Sequence, residues 1–250
     1  MMHARIFILI IFHNKQLLMA FSPRVLMDML DLLFPNIKNV DDHALIPKWS
    51  NPEIPWEILN SKSSNSLFSQ VNNYGISEDI RDFKKKDFNN KISINDDYGP
   101  IYVHDDAIIS DFVSIEGPCY IGKKSEIRHS SYIRKGSWIC DGAVVGNSTE
   151  IKNSLLLPGA KAAHFNYVGD SILGYNVNLG AGTKLSNVRN DEKSIRVNIK
   201  NKEYVDTCLF KLGSIIGNDV KLGCNVVANP GTIITPGIHI NPNSTISGWH

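Results

Sequence analysis

The chain has 250 residues and a mass of 27.9 kDa, which suits one large domain or one domain with an appendage. Lys and Arg total 26 and Asp and Glu total 25, so a net charge of +1 provides no overall field to attract nucleic acid or an anionic membrane. The four cysteines lack paired C-x-x-C spacing and are too few for a disulfide framework. Reduced thiols and a cytoplasmic location are therefore expected.

The first segment contains an apolar run, Ile6 to Phe12, of seven residues. A membrane-spanning helix needs about 20 apolar residues, so no membrane insertion is expected. A signal peptide is disfavoured because the apolar region is short and the cleavage site that follows it is poor. The simpler interpretation is that residues 1–18 are an upstream extension, since translation could equally begin at Met19.

Residues 19–100 are predicted to form a helical and irregular N-terminal region with a linker. The pair Ser22-Pro23 is typical of a helix start, and Pro35 stops the apolar run that follows it. A second short helix is predicted near Pro55. The polar stretch over residues 61–99 is typical of a linker or loosely packed loop.

From residue 101 to residue 250 the chain is dominated by a period of six. An amphipathic helix cannot carry this period, whereas a solenoid of short strands can, with one aliphatic side chain per repeat facing the core. The predicted inward positions are Val103, Ile109, Ile115, Ile121, Ile127, Ile133, Ile139, Val145, Ile151, Leu157, Leu173, Leu179, Leu185, Ile216, Leu222, Ala228, Ile234, Ile240 and Ile246.

The period is interrupted twice. Four residues are inserted between Leu157 and Leu173, and a longer insertion covers residues 186–214. Within the longer insertion, polar and apolar residues alternate on both sides of Asn201-Lys202. That alternation predicts a projecting β-hairpin.

The repeats resemble those of the hexapeptide-repeat acyltransferases. The resemblance implies an all-β solenoid, the left-handed parallel β-helix, in which three hexads make one coil; the period itself does not indicate the hand. Nineteen hexads then predict roughly six coils at the ~4.8 Å spacing of neighbouring strands.

Three hexads per coil place residues eighteen apart on top of one another. Arg134 and Lys152 have this separation, each follows an inward residue, and Glu116 lies one coil below in the same column. Adjacent cations repel unless an anion lies near them, and Glu116 offsets only part of their charge. The column is either a solvated basic surface or a phosphate clamp.

His164 falls within the predicted four-residue insertion, shortly after Lys152. Function is often carried by such breaks, because loops change shape without disturbing a core. A lone histidine is more often structural than catalytic, but the neighbouring cationic column favours catalysis. The other histidines lack the spacing of a zinc site, so no metal is expected.

Two segments sharpen the resemblance: HFNYVGDSILGYNVNLGAGT over residues 164–183 and SNVRNDEK over residues 186–193. They are similar to the acetyltransferase domain of bifunctional glucosamine-1-phosphate acetyltransferase/uridylyltransferases, particularly the archaeal-type sugar-phosphate nucleotidyltransferases. The similarity extends from about residue 107 to residue 246. It implies that His164 is the general base and that the acceptor is bound by Arg134, Lys152, Tyr167, Asn178, Asn187 and Lys193.

The implied reaction moves an acetyl group from acetyl-CoA to an amino-sugar 1-phosphate, glucosamine 1-phosphate, in UDP-N-acetylglucosamine biosynthesis. Ala181, within Gly180-Ala181-Gly182, is the expected cofactor contact, and backbone N–H groups of that segment are candidate donors to the oxyanion. The family also implies a homotrimer with sites in the clefts between neighbouring subunits.

Residues 1–100 contain no glycine-rich segment of the G-x-G-T-R type, so uridylyl transfer is not expected from this chain. Two other functions stay open at this stage. One is acyl transfer to a nucleotide-linked amino sugar. The other is a non-catalytic β-helix subunit that partners a separate nucleotidyltransferase.

Overall fold

A computed structural model of the chain describes residues 28–35, 37, 45–74, 79–84, 91–199 and 203–250. These residues form a parallel β-solenoid in which successive short strands belong in turn to three different sheets. The architecture matches the hexapeptide-repeat left-handed β-helix, so the predicted fold class is confirmed.

The three sheets are named here by their strands. Sheet 1 consists of β1 (Ile80–Asp82), β3 (Ile101–His104), β6 (Cys119–Ile121), β9 (Ser137–Ile139), β12 (Leu155–Leu156), β15 (Ile172–Leu173), β20 (Ser214–Ile216) and β23 (Thr232–Ile234). Sheet 2 consists of β2 (Ser93–Asn95), β5 (Ser114–Glu116), β8 (Tyr132–Ile133), β11 (Glu150–Lys152), β14 (Tyr167–Gly169), β17 (Lys184–Leu185), β22 (Val227–Ala228) and β25 (Thr245–Ile246). Sheet 3 consists of β4 (Ile108–Ile109), β7 (Glu126–Ile127), β10 (Val144–Asn147), β13 (Lys161–His164), β16 (Asn178–Leu179), β21 (Lys221–Leu222) and β24 (His239–Ile240).

The corners of the solenoid explain why its strands are short. Lys124, Ser130, Gly136, Gly142 and Ser148 follow one another at intervals of six and have φ values between 52° and 77°. This left-handed backbone turns the chain sharply, and three of the five residues are not glycine. The parallel ladders on either side hold the strained corners in place.

The register differs from the prediction between β11 and β15. Leu156, not Leu157, faces the core after β11, and Ala162 and Val168 continue the inward series. Two repeats are shortened to five residues, so Leu156 pairs with Leu173, and the predicted four-residue insertion is wrong. The hexad count relied on large aliphatic residues in this region and therefore missed Ala162.

The solenoid is also longer than predicted. Sheet 2 has eight strands and sheet 3 has seven, which makes more than seven coils instead of about six. Ile94, Ala162 and Val168 are the inward residues that the count missed. Because β2 already belongs to sheet 2, the solenoid begins before residue 101.

The N-terminal region contains α1 (Met29–Leu33), a 3-10 helix (Pro55–Leu59) and α2 (Leu67–Asn72). Asp28 caps α1 and Ser66 caps α2 through side-chain oxygens, each at 3.1 Å from a backbone nitrogen. The predicted helix start at Ser22-Pro23 lies outside the described residues. The segment over residues 61–99 was predicted as a linker but contains α2, β1 and β2, because its few apolar side chains pack on the solenoid.

We call residues 28–74, as far as they are described, the N-terminal layer. This layer covers the outer face of sheet 1, where Tyr120 and Trp138 pack against Leu67 and Val71 in one buried cluster. Trp138 Nε1 donates to the carbonyl oxygen of Leu45 at 3.0 Å. Apolar residues on both faces explain why sheet 1 is buried on both sides.

The predicted hairpin consists of β18 (Arg196–Ile199) and β19 (Glu203–Asp206), which pair antiparallel. Its side chains Val197 and Ile199 join the buried cluster over sheet 1, so the hairpin packs against the solenoid instead of projecting from it as predicted. The turn residues Asn201-Lys202 and the extension over residues 1–18 lie outside the described residues. Within the described ranges, no helix is both long and apolar enough to cross a membrane.

Candidate functional site

The outer face of sheet 2 carries the column predicted from the hexad count. Ile133 pairs with Ile115 on one side and with Ile151 on the other, so Glu116, Arg134 and Lys152 occupy successive coils at one register position. Each of these three residues directly follows an inward isoleucine. The predicted stacking of the two cations is therefore present.

Arg134 has two carboxylates beside it. Its Nη1 donates to Glu150 Oε1 at 2.8 Å, while its Nε lies 3.9 Å from Glu116 Oε2 and makes no hydrogen bond within the described residues. The hydrogen bond to Glu150 raises the pKa of Arg134. Glu150 was missed in the sequence, although its position immediately before an inward residue already indicates an outward side chain.

Lys152 is paired with a buried carboxylate. Its Nζ lies 2.9 Å from Asp170 Oδ2, and the Asp170 side chain is only 6% exposed. Asp170 follows Gly169 in the H-x-x-Y-x-G-D segment, and sequence reasoning gave it no role. The pairing answers the question of what keeps two stacked cations from repelling: each has its own carboxylate.

Tyr167 and Asn187 meet on the next coils of the same face. The Tyr167 hydroxyl donates to Asn187 Oδ1 at 3.4 Å, and Asn187 Nδ2 donates to Asp170 Oδ2. Burial raises the pKa of Tyr167, and the charges of Glu150 and Asp170 raise it further, so the phenol keeps its proton at neutral pH. A Cβ on Gly169 would lie 2.6 Å from the Tyr167 hydroxyl oxygen, which is why glycine is needed there.

His164 is the last residue of β13 and lies on a regular strand, so the predicted bulge is wrong. It pairs in register with Asn147, and its side chain is exposed. Its backbone N–H donates to Asn166 Oδ1 at 3.1 Å, and Asn166 Nδ2 in turn donates to the Gly180 carbonyl oxygen at 2.8 Å. The histidine therefore stands at the edge where sheet 3 turns into sheet 2.

Ala181 lies beside His164 on the following coil. Lys161 pairs with Asn178, so three residues further along His164 is level with Ala181, and Gly182 N–H donates to the His164 carbonyl oxygen at 3.1 Å. Gly180 N–H also donates within the solenoid, to the Leu222 carbonyl oxygen at 2.8 Å. Two of the three N–H groups expected to face an oxyanion are therefore already used, which leaves Ala181.

Asn178 and Lys193 are not gathered with the other predicted residues. Asn178 begins β16 and, with Lys161 and Lys221, lines a groove of about 350 Å³ on sheet 3, away from the edge that carries His164. Lys193 is exposed in the loop between β17 and β18. Within the described residues its side chain has no hydrogen bond or ion pair to the sheet 2 face.

The described residues include no group of three His, Cys, Asp or Glu side chains that could hold a metal ion. The site presents an exposed imidazole at one edge, and two cations, a phenol and an amide on the adjoining face.

A three-sided parallel solenoid built from hexads defines a hexapeptide-repeat β-helix protein. The family model for the GMPPB C-terminal domain matches residues 115–248, and the chain belongs to that family.

Among curated relatives, a bifunctional sugar-1-phosphate nucleotidylyltransferase/acetyltransferase from Sulfurisphaera tokodaii is 37% identical over 80% of this chain and 46% of its own. A bifunctional protein GlmU from Methanococcus maripaludis is 34% identical over 79% of this chain and 43% of its own. The chain thus spans less than half the length of these relatives. They are of the kind that the sequence motifs resembled, so that resemblance is confirmed.

Among solved structures, a variant of GDP-perosamine N-acetyl transferase from Caulobacter crescentus, in complex with CoA and GDP-perosamine, aligns with 62% of this chain and 50% of its own. The identity is 14% and the TM-score is 0.30, a similarity too low to transfer any functional detail.

Proposed function

We propose that the chain is an N-acetyltransferase that moves an acetyl group from acetyl-CoA to the amine of an amino-sugar 1-phosphate, glucosamine 1-phosphate, for UDP-N-acetylglucosamine biosynthesis. The observation that carries the proposal is the placement of exposed His164 at the edge of a face that presents Arg134, Lys152, Tyr167 and Asn187. The names of the relatives support both the acetyl group and the sugar phosphate.

The acceptor phosphate is held by Arg134 and Lys152. Both cations keep N–H donors beyond those used by Glu150 and Asp170, because a guanidinium has five and an ammonium three. The carboxylates fix the two heads in one orientation, so little side-chain entropy is lost when the phosphate binds. Tyr167 and Asn187 contact the sugar, and Lys193 reaches the phosphate from its exposed loop.

His164 acts as the general base. The acceptor nitrogen attacks the thioester carbonyl carbon, a C–N bond forms and the C–S bond breaks, and CoA leaves as the thiol. The proton lost by the amine passes to the imidazole and from there to the departing sulfur. An imidazole suits this step because its proton affinity is matched to neutral pH.

Acetyl-CoA is expected beside Ala181. That residue is level with His164 on the neighbouring coil, and its N–H makes no backbone hydrogen bond within the described residues. The Ala181 N–H is therefore the donor proposed for the thioester carbonyl oxygen as negative charge develops on it.

The site is completed by a second subunit. His164 and Asn178 both belong to sheet 3 but are separated by about 10 Å along the strand direction, at roughly 3.3 Å per residue. Because Asn178 lies across sheet 3 from that edge, it serves the site of a neighbouring copy. The proposed homotrimer has a mass of about 84 kDa, three times 27.9 kDa, and is located in the cytoplasm.

An acceptor panel tests the proposal. Release of CoA from acetyl-CoA is followed with glucosamine 1-phosphate, glucosamine and UDP-glucosamine. The phosphate clamp predicts a kcat/KM for glucosamine 1-phosphate at least about tenfold above that for glucosamine, the usual difference made by one charge-assisted hydrogen bond. A preference for UDP-glucosamine would identify the nucleotide-linked amino sugar as the acceptor. Equal rates with and without phosphate would contradict the clamp.

One observation favours a second candidate, a non-catalytic β-helix subunit that partners a separate nucleotidyltransferase. Both cations of the column already have carboxylate partners, as a purely structural ion-pair network would. Absence of acetyl transfer to every acceptor of the panel, by protein of the mass proposed above, would support this second function.

A further inference from the structure

Asp170 lies at the corner that follows β14, and the proposed reaction uses its carboxylate as the partner of Lys152. Three side chains donate to its buried carboxylate. Lys152 Nζ lies 2.9 Å from Oδ2, Asn187 Nδ2 donates to the same oxygen, and Asn153 Nδ2 lies 2.8 Å from Oδ1. Lys152 and Asn187 are both proposed to contact the acceptor, so one carboxylate oxygen lies behind two binding groups.

The backbone fixes this carboxylate independently of any ligand. Asp170 has a φ of 46°, in the left-handed region, and aspartate tolerates this conformation better than most residues. Its N–H donates to the Lys152 carbonyl oxygen and its carbonyl oxygen accepts from Gly213 N–H, both at 2.8 Å. The side chain therefore has little freedom to move away from its three donors.

Asn153 connects the same carboxylate to the N-terminal layer. Its Nδ2 donates both to Asp170 Oδ1 and to the carbonyl oxygen of Leu59, each at 2.8 Å. A chain of hydrogen bonds thus runs from the 3-10 helix, through Asn153 and Asp170, to the two binding groups. The N-terminal layer therefore supports the site from the corner between sheets 2 and 1.

We propose that Asp170 is a positioning residue that holds the Lys152 ammonium and the Asn187 amide for the acceptor. The inference rests on the proposed function, because it takes the acceptor to be the sugar phosphate assigned above. Lys152 gives one N–H to Asp170 and keeps two for the phosphate. Without Asp170, both groups would have to be ordered when the ligand binds, which weakens binding.

The test compares four proteins in the full chain: wild type, Asp170→Asn, Lys152→Met and the double variant. The affinity for glucosamine 1-phosphate is measured by titration calorimetry. Asp170→Asn is expected to weaken binding about tenfold, as loss of one charge-assisted hydrogen bond does. In the Lys152→Met background the same substitution is expected to weaken binding by clearly less than tenfold, because Asn187 is then the one proposed binding group that Asp170 still positions.

Asp219→Asn is the matched control. Asp219 also has a left-handed backbone, with a φ of 59°, and accepts from a single amide, that of Asn176, at 3.1 Å on the exposed surface. This substitution is expected to leave the affinity for glucosamine 1-phosphate unchanged. In an active enzyme, Asp170→Asn is also expected to leave KM for acetyl-CoA unchanged, which a general loosening of the fold would not.

Thermal unfolding of the same four proteins tests the Lys152–Asp170 pair by a measurement that does not require enzymatic activity. Lys152→Met leaves a buried carboxylate without its cation and is expected to lower Tm, and adding Asp170→Asn is expected to recover part of that loss. If wild type binds the sugar phosphate with the predicted coupling but transfers no acetyl group, the reaction is wrong and the positioning role stands. Additive effects of the two substitutions on affinity, or an unchanged affinity in Asp170→Asn, would overturn the positioning role.

Discussion

The outer faces of sheets 1 and 2 are built on the same repeat. The face of sheet 1 packs against other segments of the chain, whereas the face of sheet 2 presents polar side chains. The residue before each inward aliphatic is apolar on sheet 1, as in Tyr120 and Trp138, which are 1% and 2% exposed beneath the N-terminal layer. The same position on sheet 2 holds Glu150, Tyr167 and Lys184, over which none of the described segments forms a layer. The inward residues build the solenoid, and the outward residues decide whether a face packs or binds.

The two faces also differ in their use of charged side chains. Beneath the N-terminal layer, burial of apolar side chains supplies the stabilisation of sheet 1. On sheet 2 each stacked cation has a carboxylate partner, so the ion pairs hold the side chains of this face in place. An open face of this kind is suited to a ligand that exchanges with water.

The largest expected effect is the loss of kcat in His164→Ala, at the edge of the sheet 2 face. Removing a positioned base is expected to lower kcat about 10²- to 10⁴-fold, and the exposed side chain can be lost without unfolding the solenoid. His129→Ala is the matched control, because His129 is exposed at the same register position two coils earlier. Steady-state acetyl-CoA kinetics measure both variants. Equal losses would remove His164 from the mechanism.

Trp138→Ala tests the covered face. The indole is 2% exposed and lies 5.0 Å from the ring of Tyr120, so its loss is expected to lower the free energy of unfolding by about 3–5 kcal/mol. Lys184→Ala, at the corresponding position of sheet 2, is expected to change it by less than about 0.5 kcal/mol. Urea unfolding followed by circular dichroism measures the difference. Similar losses in the two variants would show that the faces do not differ as described.

Arg134→Ala tests the open face through its ligand. We expect KM for the sugar phosphate to rise about 10- to 100-fold, as loss of a charge-assisted contact does, with KM for acetyl-CoA unchanged. Arg128→Ala is the control, because Arg128 also follows an inward isoleucine and pairs with a glutamate, Glu126, at 2.7 Å, but lies on sheet 3. An equal rise of both KM values in Arg134→Ala would point to a structural role for this arginine.

The smallest effect concerns thiol reactivity. Burial raises the pKa of the Cys119 and Cys140 thiols, and Cys140 lies beneath the N-terminal layer with its Sγ 3.7 Å from the Leu45 carbonyl oxygen. Both are expected to react with a maleimide only after unfolding, whereas exposed Cys208 reacts in the folded protein. Mass spectrometry of labelled peptides identifies the sites. Labelling of Cys140 in the folded chain would show that the layer does not cover sheet 1.

The sequence predicts the regular part of the solenoid well. From Val103 to Ile151 every aliphatic residue of the hexad count lies on the inside of its coil, because the period of six is set by one strand and one corner. The stacking of Arg134 on Lys152 follows directly from that arithmetic. Position along the chain therefore predicts which residues share a column.

The parts that were mispredicted depend on local geometry or on tertiary contacts. A search for large aliphatic residues at a period of six does not detect the two five-residue repeats on either side of His164, because Ala162 is the inward residue between them. Asp170 lies eighteen residues after Lys152, so the hexad spacing could have suggested this pair, but the shortened repeat places Gly169 level with Lys152 and leaves Asp170 at the corner. The N-terminal layer packs on the whole outer face of sheet 1. A local sequence pattern in residues 61–99 cannot predict such a tertiary contact.

The most direct test of the account is a crystal structure with glucosamine 1-phosphate and CoA. We expect the phosphate within hydrogen-bond distance of Arg134 and Lys152 on the outer face of sheet 2, with the amine directed at His164 and the thiol beside Ala181. A sugar phosphate bound elsewhere, with the Arg134–Glu150 and Lys152–Asp170 pairs untouched by ligand, would contradict it.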